Sequence, residues 1–84
     1  MEQLAERVRV LRMITGYPQD YVAFKLGISQ AAYSKKETGR TILSLQNLSE
    51  LAELYQLSIR DIVGATTEEL VMLVMRQNTR PILV

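Results

Sequence analysis

An all-α fold is predicted by three features of this 84-residue sequence. Apolar residues recur at steps of three and four along the chain. Serines and threonines stand where helix N-caps belong. No stretch before the tail Pro81-Ile82-Leu83-Val84 shows the period-2 alternation of a strand. The length suits one domain, and a composition of 48% hydrophobic and 23% charged residues suits a folded chain rather than a disordered one.

The elements follow in order. Leu4, Val8, Leu11 and Ile14 fall at steps of four, three and three and line one face of a first helix. Gly16 and Pro18 end it: glycine suits the C-terminal turn, and proline disfavours a helical Tyr17. Pro18 suits the first turn of a second, short helix carrying Val22 and Leu26 and ending at Gly27. Ser29 is a natural N-cap for a third helix ending at Gly39. Ser44 caps a fourth, with Leu45, Leu48, Ala52 and Tyr55 along its stripe and Leu51 and Leu54 widening it. Ser58 with Asp61 reads as a capping box for a brief fifth helix closed by Gly64. Thr66 with Glu69 repeats that signature for a last helix through about residue 77. Its run Leu70-Val71-Met72-Leu73-Val74-Met75 is apolar on every side.

Composition excludes several chemistries. There is no cysteine and no histidine, so disulfides, thiolate or imidazole metal sites, a cysteine nucleophile and a histidine base are all absent. No remaining carboxylate, lysine or serine stands in a recognisable catalytic motif. The expectation is therefore no enzyme, no metal and no cofactor. The longest apolar run is six residues, far short of the roughly 20 that span a bilayer, and no secretory signal is visible, so a cytoplasmic setting is expected.

Charge is unevenly spread. Residues 1–45 carry seven positive side chains (Arg7, Arg9, Arg12, Lys25, Lys35, Lys36, Arg40) against four negative ones (Glu2, Glu6, Asp20, Glu37). Residues 46–84 carry three positive and five negative ones. A basic half beside an acidic half points toward a polyanionic partner.

Residues 19–38 carry the most informative pattern. Two short helices are joined by about three residues. A steep crossing over so short a turn needs a small residue on the first helix, which is Ala23. It needs a turn residue tolerant of positive φ, which is Gly27. It also needs apolar side chains to seat the pair: Val22, Leu26, Ile28 and Tyr33. This is the helix-turn-helix arrangement, in which the second helix enters the DNA major groove.

The stretch from Gln19 to Arg40, with Leu11-Arg12 before it and Leu48, Leu51, Ala52 and Leu57-Ser58 after it, resembles the phage repressor and Cro type of helix-turn-helix, the Xre family. The resemblance covers about residues 4–63. It implies a compact five-helix repressor-like DNA-binding domain over residues 1–64. Residues 65–84 then add a further helix and tail, expected to serve dimerisation through Leu70, Val71, Leu73 and Val74. The implied function is sequence-specific binding of double-stranded DNA at an inverted repeat, as a homodimeric prokaryotic or phage regulator acting as a repressor. An antitoxin or antirepressor-type protein-interaction module is the alternative on the same fold. With no sensor domain in the sequence, control by concentration or by a protein modulator is the simpler expectation.

The resemblance also assigns residues. Gln19 opens the motif, contacts a phosphate and braces Gln30. Gln30 begins the recognition helix, and its amide offers the donor and acceptor that adenine N6 and N7 require. Ala31 presents a methyl group, Ser34 and Lys35 lie one turn further on, and Ser29 serves as cap and DNA contact. Arg40 and Thr41 clamp the DNA backbone, and the N-terminus of the fourth helix presents amides to phosphate. Lys36 departs from the family pattern, which has an aliphatic or aromatic residue there. Its stem is expected to lie on the core and its ammonium to point outward, toward phosphate. Arg12 and Glu37 match an ion pair between the first and third helices.

Overall fold

The computed structural model describes residues 2–78. They form six α-helices and no strand among the described residues: α1 (Glu2–Thr15), α2 (Gln19–Leu26), α3 (Gln30–Glu37), α4 (Leu45–Tyr55), α5 (Ile59–Gly64) and α6 (Thr67–Asn78). The tail at residues 79–84, expected as a strand or apolar clasp, lies outside the described residues.

The helix starts are set locally. Ser29 Oγ accepts the N–H of Ala32, at 3.1 Å. Ser44 and Asn47 exchange side-chain to backbone hydrogen bonds in a full capping box, as do Ser58 and Asp61. At α6, Glu69 N–H donates to Thr66 Oγ1 and Thr66 N–H donates to Glu69 Oε1. Each such cap satisfies backbone donors that the helix leaves open, worth about 1 kcal/mol apiece. The turn between α2 and α3 depends on Gly27 at φ 69°, in the left-handed region. The end of α4 takes the same conformation at Gln56, φ 57°, without a glycine.

One core joins all six helices. Val8 and Leu11 of α1 meet Val22 and Leu26 of α2, Tyr33 of α3, Leu48 and Leu51 of α4, Ile62 of α5, and Leu70 and Val74 of α6. Helix α1 is the hub, packed against α3, α5 and α6, while α2 packs on α3 and α4, and α4 on α5.

Two expectations are corrected here. Leu45 is 72% exposed instead of lining the α4 stripe. It is the first residue of the helix, one turn ahead of Leu48, and nothing packs over it. Leu70 and Val74 are not available to a partner surface, because both are buried in the chain's own core, where α6 lies along α1. The large apolar side chains of α6 that are exposed are Met72 and Met75, with Val71 and Leu73 half-buried at the margins.

Candidate nucleic-acid interface

Helix α3 is eight residues long and buries only Tyr33 and Glu37. The other side chains of its sequence are too short, too polar or too exposed to seat it, so these two must hold it. They do so through a polar knot. The Arg12 guanidinium donates from Nε to Glu37 Oε2 at 2.7 Å and from Nη2 to Oε1 at 2.9 Å, a bidentate pair between α1 and α3. The Tyr33 hydroxyl donates to Oε2, and the Gln19 amide nitrogen donates to Oε1 at 3.1 Å. Arg12 is fixed in turn by its bond from Nη1 to the Tyr17 carbonyl, at 3.0 Å. The α1–α2 connection, α1, α2 and α3 are thus tied at one carboxylate.

The electrostatics follow from that geometry. Burial pushes the Glu37 carboxyl up, but the hydrogen bonds from Arg12, Tyr33 and Gln19 outweigh it and hold the group below the usual carboxylate value. The bond to Glu37 raises Arg12 further. Burial, and then the bond to Glu37, pushes the Tyr33 phenol far above its ordinary value, so it remains a donor.

Two roles implied by the resemblance differ in the structure. Gln19 braces Glu37 and not Gln30, because an ionised carboxylate is the stronger acceptor for an amide N–H. Lys36 does not point freely outward: Nζ uses one of its three N–H donors on the Ile42 carbonyl, at 2.8 Å. Tyr33 is buried as expected of a core residue, and its hydroxyl is turned inward onto Glu37.

The remaining positions are open. Gln30, Ala31 and Lys35 are exposed and Ser34 is half-buried. At 100° per residue these four span about 140° of α3, with Gln30 at the margin, about 20° from Glu37 and about 60° from Tyr33. Ser29 is exposed but its hydroxyl is occupied as the cap acceptor. Arg40 and Thr41 are exposed, and their backbone N–H groups both return to the Lys35 carbonyl, at 2.8 and 3.2 Å. At the start of α4 the capping box satisfies Ser44 and Asn47. It leaves the N–H groups of Leu45 and Gln46, between them, to face outward from a helix N-terminus. No helix among the described residues is long and apolar enough to cross a membrane, and no group of three or more acidic side chains among them could hold a metal ion.

No curated protein and no solved structure matches the chain. A family model described as helix-turn-helix matches residues 8–62, from the second turn of α1 into α5 and across the whole α2–turn–α3 unit. That span is well over half of the chain, and it includes every residue bonded at Glu37. The chain belongs to the Xre and Cro type of helix-turn-helix family and is a DNA-binding protein of the kind that regulates transcription.

Proposed function

We propose that the chain is a homodimeric, sequence-specific repressor that sets α3 into the major groove of double-stranded DNA. The observation that carries this reading is the division of α3 into two sides. Tyr33 and Glu37 are spent on seating the helix, while Gln30, Ala31, Ser34 and Lys35 make no hydrogen bond through their side chains to the rest of the protein among the described residues. Gln30 supplies a donor and an acceptor for adenine, Ala31 a methyl for thymine, and Lys35 a cation for guanine or a phosphate. Arg40, Thr41, Ser29 and the open amides at the start of α4 supply backbone contacts that fix the register without reading sequence.

Dimerisation in this reading uses the outer side of α6. Met72 and Met75 are 64% and 54% exposed, and a two-fold partner presenting the same side chains covers both sets at once. Two α3 helices related by such an axis meet successive major grooves, about 34 Å apart, and read an inverted repeat. A domain bound there represses by occupying the site.

Site selection from random duplex DNA tests the assignment. The wild type is expected to return an inverted repeat. Gln30→Ala is expected to lose about 1–3 kcal/mol on that site and to relax one base pair per half-site. An unchanged motif of unchanged strength would remove Gln30 from the readout.

A further inference from the structure

The structure gives Lys36 a definite contact. Its stem is half-buried at the last turn of α3, and its ammonium reaches across the α3–α4 connection to the Ile42 carbonyl, at 2.8 Å. The connection is held in two halves by different means. The near half is closed by backbone: Gly39 N–H donates to Lys36 O, and Arg40 and Thr41 N–H donate to Lys35 O. The Thr38 hydroxyl adds bonds to the Ser34 and Lys35 carbonyls. The far half has no such closure. The Ile42 side chain is 70% exposed and anchors nothing, and the next buried residue is Leu43. Among the described residues the Lys36 ammonium is the bond that returns Ile42 to α3.

Arg40 and Thr41 lie between the two points so joined. We propose that Lys36 is a positioning residue: a strap that fixes residues 40–42 against α3 and so sets where Arg40 and Thr41 meet the DNA backbone, without binding phosphate itself. The proposal rests on the reading above that Arg40 contacts a phosphate. Methionine at this position keeps the apolar stem and loses the donor. Arginine keeps a donor of similar reach.

The test measures affinity for a random-sequence duplex against salt for Arg40→Ala, Lys36→Met, Lys36→Arg and the Arg40→Ala/Lys36→Met double variant, each checked for a wild-type helical melt. Each phosphate contact contributes about one unit to the slope of log affinity against log salt. Arg40→Ala is expected to lower the slope by about one unit. Lys36→Met is expected to weaken binding with a slope no lower than that of Arg40→Ala, and to add no further slope change on top of it. Lys36→Arg is expected to restore binding. A further unit of slope lost in the double variant would make Lys36 a phosphate ligand and overturn the strap. Wild-type binding by Lys36→Met, while Arg40→Ala is impaired, would overturn the strap alone. An unaltered slope in Arg40→Ala would overturn the phosphate reading and the strap's purpose with it.

Discussion

Replacing Arg12 by alanine is the sharpest test of the knot that seats α3. The change removes two of the four hydrogen bonds into Glu37 and, among the described residues, the only positive charge bonded to it, at 2.7 and 2.9 Å. The partners are 17% and 2% exposed at their side chains, so this pair is closer to a buried ion pair than to a surface one. A surface pair is worth at most about 1 kcal/mol, whereas stranding one partner of a buried pair costs about 3–5 kcal/mol. A second route to the magnitude agrees. Without Arg12 the carboxyl escapes its buried charge by keeping a proton. Holding a group of ordinary value near 4.3 protonated at pH 7 costs about 1.4 kcal/mol per pH unit, or roughly 3.7 kcal/mol. Stability for a domain of this size is on the order of 4–13 kcal/mol, so the variant is measurable by urea melts near its stability maximum. The sign of its pH dependence is diagnostic. In the variant Glu37 sits above its unfolded value, so stability rises as pH falls from 7 to 5. In the wild type Glu37 sits below its unfolded value, so nothing is gained over that interval. A loss under about 0.5 kcal/mol, or a loss independent of pH, would refute the reasoning.

Three further outcomes are expected. In acid, the wild type keeps the contribution of Glu37 above about pH 4.3 and loses it as pH falls through the lower folded value, so its stability declines more steeply there than that of Glu37→Gln; parallel acid melts check this. Gly27→Ala is expected to cost about 1–2 kcal/mol in urea melts, and the whole cost is conformational, because the residue has φ 69° and no atom lies within 4 Å of an added Cβ. Met72→Glu combined with Met75→Glu is expected to leave the melt of the domain near wild type but to abolish the dimer in sedimentation, since both side chains lie outside the core. A full-length protein that is monomeric at high micromolar concentration would remove α6 from any two-fold interface.

What the sequence made legible was mostly what is decided within one turn of helix. Ser29, Ser44, Ser58 and the Thr66–Glu69 pair announce helix starts because a cap is a contact between residues three apart. The α1 stripe is legible because its apolar spacing leaves one face to bury. Helix α6 is not, since a segment apolar all round has no stripe to read. That Leu70 and Val74 go inward while Met72 and Met75 stay outside is settled by where α1 lies. Leu45 has the spacing of a core residue, and spacing does not reveal that nothing packs over the first residue of the helix. At the site, the residues that carry the family resemblance pointed to Arg12 as the charge partner of Glu37. They did not point to Tyr33 and Gln19 as the other donors, because tyrosine reads as core and Gln19 as a phosphate contact, and only the approach of α1 and α2 to the end of α3 brings Arg12 and Gln19 to the carboxylate that Tyr33 meets from one turn back.

A helix laid on a body through greasy side chains can roll about its own axis, because dispersion and hydrophobic contacts have no preferred direction. Rolling by about 20° moves a side-chain tip at roughly 5–6 Å from the axis by about 2 Å, most of a hydrogen bond's length. Helix α3 is pinned instead through Glu37 by bonds with fixed angles from two other helices: the forked guanidinium of Arg12 on α1 grips both oxygens of the carboxylate, and the Gln19 amide on α2 donates to one of them, while Tyr33 one turn back on α3 steadies the same group. Glu37 acts as a detent against rotation. The azimuth of Gln30, Ala31, Ser34 and Lys35 is therefore set before any duplex arrives, and the torsional freedom of the reading face is removed during folding, not on binding.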